Sequence, residues 1–259
     1  MKRRDFVLLL AGAMTAARPL RAQQKAMPVV GFLDLASPPG PFAPAVAAFH
    51  QGLRETGYVE GQNVAVDYHW AEDHYDRLPA LAAALVARRV DVIVTQGSIP
   101  PARAAHNATT TIPIVFVTGA DPVAAGLVAS LARPGGNLTG FTLVHAELMQ
   151  KRVELLSELV PQARVIALLV KPDNPETERM IRDSQEAAHA KGLQLKILRA
   201  SNEGEIDAAF ASLTQAKADA LLVGTDPFFF SAHERLVALA ARYAVPASYD
   251  SRGTVDAEG

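Results

Sequence analysis

The stretch 112–143 reads IPIVFVTGADPVAAGLVASLARPGGNLTGFTL and contains two short apolar runs, each preceded or followed by turn residues. The runs at 114–117 and 138–141 are rich in β-branched and aromatic residues, which is typical of strands. The segments 118–122 and 134–136 hold the Gly, Pro and Asp residues that favour turns. The stretch therefore predicts two strands that belong to one sheet, with a turn at the end of the first.

The same alternation extends along the chain in both directions. Further strands are predicted at residues 29–33, 64–68, 92–95, 165–170, 193–198, 220–223 and 246–249. Helices are predicted between them, since apolar residues such as Val46, Phe49 and Leu53 recur at helical spacing. Pro44 lies near the first turn of that helix, and Gly57 lies where a C-terminal cap belongs. Because strands that alternate with helices build parallel sheets, the pattern predicts an α/β fold.

The spacing of the strands indicates two lobes. Strands recur about every 25 to 30 residues, as expected for successive βα units. A natural break follows the glycine turn and the strand at 138–141. We predict an N-terminal α/β lobe over residues 28–143 and a C-terminal α/β lobe over residues 144–250, each a parallel sheet flanked by helices, with residues 251–259 at a hinge.

The first 22 residues have the order of a cleavable export signal. Basic residues come first, an apolar run follows over residues 6–17, and Ala22 suits the position before the cut. The run is about a dozen residues long, shorter than the roughly 20 that span a bilayer, so we expect no membrane insertion of the mature chain. Arg3 and Arg4 favour the twin-arginine route, with a general secretory signal as the alternative. Leu20 leaves the cleavage site open, and the segment predicts a periplasmic protein.

Composition and motifs exclude several functional classes. The chain is 49% hydrophobic and has no cysteine, which is typical of a packed domain and excludes disulfides and thiolate nucleophiles. Removal of the signal would lower the formal net charge from −2 to −6, and no basic stripe is present, so we predict no nucleic-acid partner. The sequence also lacks HExxH, P-loop and GxSxG motifs and a GxGxxG after the first strand. We predict no metal, no cofactor and no catalytic residue.

Candidate ligand-binding residues follow the predicted strands. Loops and helix N-termini converge at the carboxyl ends of parallel strands, where unpaired N–H groups are available to a ligand. This rule selects a set of polar and glycine residues from both halves of the chain: Asp34, Ser37, Gly97, Ser98, Thr118, Asp121, Lys171, Asn174, Thr225, Asp226, Tyr249 and Asp250.

Two equivalent turns, 118–122 and 224–227, each place a hydroxyl and a carboxylate before a proline that starts or precedes a helix. We expect hydroxyls and helix N–H groups to bind a ligand carboxylate, and Asp121, Asp226 or Asp250 to bind its ammonium. The alternative is that Asp121 and Asp226 only cap helices, since aspartate is a common N-cap residue.

The remaining candidates have structural alternatives of their own. Gly97 allows a ligand to approach the backbone closely, although a plain turn also needs glycine. For Lys171 two alternatives remain: the side chain contacts a ligand, or it is solvated. The aromatic run 228–230 either stacks on a ligand or packs in the core. Tyr249 either lines the cleft or has a structural role.

Four segments resemble the ABC-transporter substrate-binding family, which has a type I periplasmic-binding fold. They are residues 49–63 (FHQGLRETGYVEGQN), 76–85 (DRLPALAAAL), 112–143 and 220–229 (ALLVGTDPFF). The resemblance implies a two-lobed receptor that closes on a small solute, such as an amino acid or a related compound, and passes it to the membrane permease of an ABC importer. Members of the family continue past the position of Gly259, so the resemblance also implies a truncated end at 251–259.

These observations favour an extracytoplasmic solute-binding receptor and not an enzyme. One alternative is a ligand-sensing type I periplasmic-binding domain of a regulatory system, which the predicted export signal and the lack of an output domain disfavour. The other is an exported α/β enzyme, since parallel sheets support many reactions. The absence of nucleophile, metal and phosphate motifs disfavours that alternative.

Overall fold

The computed structural model describes residues 27–37, 42–143 and 148–250, which contain two parallel β-sheets built from successive parts of the chain. We call residues 27–143 the first lobe and residues 148–250 the second lobe. The first sheet has the spatial order β2-β1-β3-β4-β5. Its strands are β1 (Val29–Asp34), β2 (Ala65–Trp70), β3 (Val92–Gln96), β4 (Ile114–Thr118) and β5 (Leu138–Thr142).

Helices connect the first three crossovers of this sheet, as parallel pairing requires. They are α1 (Ala43–Glu55), a 3-10 turn (Tyr75–Arg77) continued by α2 (Leu78–Ala87), and α3 (Ile99–Ala108). The end of α1 follows the sequence closely. Gly57 has a positive φ of 85°, and Tyr58 N donates to Leu53 O at 2.8 Å, which is the bond that closes a glycine-capped helix end.

The second sheet repeats the order of the first four strands, as β7-β6-β8-β9. Its strands are β6 (Val165–Val170), β7 (Gln194–Arg199), β8 (Ala220–Val223) and β9 (Ala247–Ser248). The helices of this lobe are α4 (Leu148–Leu159), α5 (Thr177–Ala190), α6 (Glu203–Ala216), α7 (Pro227–Ser231) and α8 (His233–Arg242).

The central strand β6 shows why its sequence is apolar at every position. Ala167 and Leu169 pack into a cluster with α6 and α8, whereas Ile166 and Leu168 pack on the other face with α4 and α5. Successive strand residues point to opposite faces, so a strand covered by helices on both sides needs apolar residues throughout. Helix-covered parallel sheets confirm the predicted fold class.

One local expectation is corrected. No helix follows Pro122, because residues 122–126 form consecutive turns. Gly126 has a positive φ of 65°, which ends the helical direction after one turn, and Leu127 and Val128 then enter the core of the first lobe.

The predicted strands are all present, and no strand end differs from its prediction by more than two residues. The predicted boundary after Leu143 falls beside residues 144–147, outside the described residues, and stays a prediction. The predicted export signal at 1–22 and the predicted hinge or truncated end at 251–259 also lie outside them.

Candidate functional site

The loops that follow β3, β4, β6 and β8 meet between the two lobes and line a cleft with about 590 Å³ of empty space, open to solvent. This is the position expected for a ligand site at the carboxyl ends of parallel strands. The first lobe contributes Gly97, Ser98, Ile99, Pro100, Gly119 and Ala120, and the second contributes Met149, Asn174, Glu176, Arg179, Met180, Asp183, Thr225 and Pro227. Four predicted ligand-binding residues, Gly97, Ser98, Asn174 and Thr225, are thus brought together.

Two residues of the cleft lining, one from each lobe, carry a buried hydroxyl. Ser98 Oγ and Thr225 Oγ1 are buried, and neither makes a hydrogen bond within the described residues. A buried hydroxyl without a partner costs about 1 to 3 kcal/mol, so such groups normally have a protein, water or ligand partner. The pair is therefore suited to bind polar atoms of a molecule in the cleft.

Gly97 supports the same interpretation. Its φ is 91°, and no heavy atom lies within 4 Å of the position that a Cβ would take. The glycine is required by the backbone conformation, and it leaves the backbone beside the cleft accessible to a ligand.

The charged groups of the cleft come from α5 and the residue before it. Arg179 Nη1 lies 3.9 Å from Glu176 Oε2, and Arg179 Nε lies 3.7 Å from Asp183 Oδ2. Both distances exceed hydrogen-bonding range. Met180 on the same helix and Met149 on α4 are apolar members of the same lining. The cleft thus combines an apolar wall with a few polar groups, as small-molecule sites do.

Asp226 is a helix cap that also joins the two lobes. Its Oδ1 accepts from Phe228 N at 2.8 Å at the start of α7. Its Oδ2 accepts from Asn174 Nδ2 at 2.9 Å and from Tyr75 Oη, in the first lobe, at 2.9 Å. The residue is 2% exposed, and this burial raises the pKa of the carboxyl to about 6 although all three hydrogen bonds act in the opposite direction. Asp226 is not part of the cleft lining.

Lys171 faces a second space between the lobes, lined mainly by charged side chains and distinct from the cleft. Its Nζ donates to Asp73 O at 3.1 Å and lies 5.7 Å from the ring centre of Tyr75 and 5.2 Å from that of Phe228. The side chain is therefore neither solvated nor in the cleft. It is a buried contact across the lobes.

Thr118 and Asp121 shape the turn after β4. Thr118 Oγ1 accepts from Ala120 N at 3.1 Å, and the threonine is fully buried. Asp121 Oδ1 accepts from Val123 N at 2.8 Å and from Ala124 N at 3.1 Å. Asp121 thus caps a turn, and neither side chain is among those that line the cleft.

Four further candidates lie away from the cleft lining. Asp34 is 1% exposed, with Oδ1 accepting from Ala36 N at 3.0 Å, and Ser37 is half-buried beside it. Tyr249 packs against the core of the second lobe and donates to Leu236 O at 3.4 Å. Asp250 acts on the pKa of buried Arg152, which burial lowers to about 10 while the aspartate charge opposes the shift.

Sequence reasoning missed the charged residues of the cleft. Glu176, Arg179 and Asp183 are three and four positions apart, so helical periodicity places them on one face of α5. The sequence does not indicate whether that face points to the cleft or to solvent. Met149 was missed because α4 approaches the cleft only through the packing of the second lobe.

Within the described residues, no three acidic or histidine side chains are grouped as a metal site would require. In that same part of the chain, every helix is too short or too polar to cross a membrane.

Comparisons with known proteins find one matching family model and several similar proteins. The model of the family described as ABC transporter substrate binding protein matches residues 39–258. A curated tyrosine-binding protein of Clostridioides difficile (strain R20291) is 29% identical over 211 residues, which cover 82% of this chain and 60% of that protein. The chain therefore spans less than two thirds of the length of this relative.

Two solved structures are similar over most of this chain. A conserved domain protein from Vibrio cholerae O1 biovar El Tor strain N16961 has a TM-score of 0.77 and 27% identity, covering 89% of this chain and 76% of that one. An ABC domain from Streptococcus pneumoniae in complex with L-Trp has a TM-score of 0.74 and 25% identity, covering 90% of this chain and 77% of that one.

Proposed function

The chain belongs to the ABC transporter substrate-binding protein family, and from this membership we propose that it is the extracytoplasmic receptor of an ABC importer. The receptor binds a small molecule in the cleft between the lobes, where both lobes contribute contacts. The closed arrangement is then favoured because the full set of contacts forms only there.

The observation that carries this proposal is the pair of buried hydroxyls, Ser98 Oγ and Thr225 Oγ1, at the cleft from opposite lobes. A molecule that bonds to both bridges the lobes. No bond-making step is needed for this role, so we propose that the protein is not an enzyme.

The proposed ligand is an amino acid, with aromatic side chains as the first candidates. One similar structure holds L-Trp, and a curated relative is named a tyrosine-binding protein. The apolar wall formed by Ile99, Met149 and Met180 suits such a side chain, and the polar groups of the cleft suit its charged end.

The proposed partner is the membrane permease of the importer, and the proposed location is the periplasm. The basic and apolar residues at 1–22 support export through a cleaved signal, with the Arg3-Arg4 pair favouring the twin-arginine route.

Calorimetric titration tests the proposal. We expect L-tyrosine or L-tryptophan to bind, and Thr225→Ala to weaken that binding about two- to tenfold, because one neutral hydrogen bond contributes roughly 0.5 to 1.5 kcal/mol. The matched control is Thr139→Ala, since Thr139 is exposed on β5 and makes no side-chain hydrogen bond within the described residues. Equal affinity in the two variants would show that the ligand does not bind in this cleft. If no small solute bound, the proposed receptor function would be wrong.

A further inference from the structure

We propose that Arg179 determines the ligand class of the cleft by binding the ligand's carboxylate, while Asp183 and Glu176 favour an ammonium beside it. This inference rests on the proposed solute-binding function and names residues for its charged end. It differs from the prediction that Asp121, Asp226 or Asp250 binds the ammonium, since none of the three is part of the cleft lining.

The guanidinium of Arg179 is available to a ligand. Its two carboxylate neighbours lie 3.9 and 3.7 Å away, and the side chain makes no hydrogen bond within the described residues. A guanidinium has five N–H donors in a planar fork that matches a carboxylate with two parallel bonds. The side chain is 33% exposed, so it is partly desolvated yet accessible from the cleft.

The position of Arg179 on α5 adds to this preference. It is the third residue of a helix of 14 residues, and the first turn of a helix carries partial positive charge. Met180, the next residue of the helix, also belongs to the cleft lining and adds an apolar side chain there. Charge-assisted hydrogen bonds are stronger than neutral ones, and more so where water is excluded.

The flanking carboxylates restrict which anions fit. Arg179, Glu176 and Asp183 together carry one net negative charge, so a ligand with only a carboxylate would add repulsion. A ligand that places an ammonium next to its carboxylate satisfies both signs of charge. The predicted class is an α-amino acid zwitterion, with its side chain against Ile99, Met149 and Met180.

A purely structural role makes a different prediction. Pairs at i,i+3 and i,i+4 spacing on a helix contribute a few tenths of a kcal/mol to stability. If Arg179 only pairs with Glu176 and Asp183, its removal changes the stability of the protein slightly and leaves ligand affinity unchanged.

The test compares Arg179→Gln with Arg182→Gln, since Arg182 is exposed on the same helix and has no ion pair in the described part of the chain. Each variant and the wild type are titrated with L-tyrosine, L-tryptophan and L-leucine, and with tyramine, tryptamine and isoamylamine, which lack the carboxylate. D-xylose and adenosine serve as solutes of other classes.

We expect the wild type to bind an amino acid more tightly than the matching amine. Arg179→Gln should lower the affinity for the amino acid about ten- to a hundredfold. Affinity for the amine should change little in Arg179→Gln. Arg179→Lys should retain part of the preference for the amino acid over the amine, because it keeps the charge without the planar fork. The melting temperature of Arg179→Gln should match that of Arg182→Gln.

Three results would overturn the inference, and they separate it from the receptor function. Equal amino-acid affinity in Arg179→Gln and Arg182→Gln would show that Arg179 does not contact the ligand. If the wild type bound an amine, D-xylose or adenosine in preference to the amino acids, the protein would still be a receptor. Its ligand would then not be an α-amino acid. Binding of no solute would reject the receptor function, and the inference with it.

Discussion

Asp34 and Asp226 are carboxyl groups that the fold buries almost completely, at 1% and 2% exposure. Burial raises the pKa of each to about 6 from a reference value of 3.8, and for Asp34 the nearby charge of Asp73 adds a smaller upward effect. The folded chain therefore binds these protons more tightly than the unfolded chain. The resulting stabilisation is complete below pH 3.8 and is lost as the pH rises through about 6.

Asp34→Asn should flatten this pH dependence. A shift of this size corresponds to about 3 kcal/mol per group, so wild-type stability should gain from the group as the pH falls from 7.5 towards 5. The asparagine stays neutral and keeps an acceptor for Ala36 N, so the variant should be at least as stable as the wild type at pH 7.5. Urea unfolding at several pH values measures this, with exposed Glu186→Gln as control. An unchanged slope in Asp34→Asn would contradict the assigned pKa direction.

At the scale of elements, a single side chain fixes the start of β5. Asn137 Nδ2 donates to Thr109 O at 3.1 Å and to Ile112 O at 2.7 Å, while its Oδ1 lies 3.3 Å from His106 Nδ1. These partners belong to α3 and to the loop between α3 and β4. The turn before β5 is thereby attached to the preceding crossover.

Asn137→Ala should lower the free energy of unfolding by about 1 to 3 kcal/mol, because it leaves two partly buried carbonyls without their donor. Asn107→Ala is the matched control, since Asn107 is exposed near the end of α3 and its side chain makes no hydrogen bond within the described residues. Its effect should stay within about 0.5 kcal/mol. Equal denaturant midpoints for the two variants would show that the Asn137 contacts contribute nothing net.

The elements themselves were predictable because each depends on local residue pattern. The run VIALLV in β6 is apolar throughout, and a strand packed on both faces requires that pattern. The Asn137 contacts were not predictable, since they join residues 25 and 28 positions apart in the chain. The helix expected after Pro122 was wrong because the proline signal is local, whereas Gly126 and the burial of Leu127 decide the path beyond it.

At the scale of the whole molecule, the candidate site was predictable as far as topology alone decides it. Gly97, Ser98 and Thr225 follow strands directly, so the rule for carboxyl ends of parallel strands places them at the cleft. Whether Arg179 reaches the cleft depends on how α5 is rotated about its axis. The hydrogen bonding of Asp226 depends on where the other lobe lies, because its third donor is Tyr75. Neither the rotation nor the lobe arrangement is encoded in a short sequence window.

Several contacts between described residues join the two lobes. Tyr75 Oη donates to Asp226 Oδ2 at 2.9 Å, and Lys171 Nζ donates to Asp73 O at 3.1 Å. The rings of Phe42 and Phe230 lie 4.8 Å apart, with their planes tilted by 45°. Because these contacts form only when the lobes are close, they favour the lobe arrangement of this structure, which the proposed function takes as the closed one.

Tyr75→Phe tests how much these contacts favour closure. The change removes one donor across the lobes and leaves Asp226 with Asn174 Nδ2 and Phe228 N. A single hydrogen bond to a buried carboxylate contributes about 1.5 to 3 kcal/mol, so the closed population should fall and apparent ligand affinity should fall in the same proportion. X-ray scattering should show a larger radius of gyration for the ligand-free variant, which saturating ligand restores. Tyr58→Phe is the control, since Tyr58 is 44% exposed in the first lobe and its hydroxyl makes no hydrogen bond within the described residues. If scattering and affinity were the same for both variants, the Tyr75 contact would be a consequence of closure and not one of its causes.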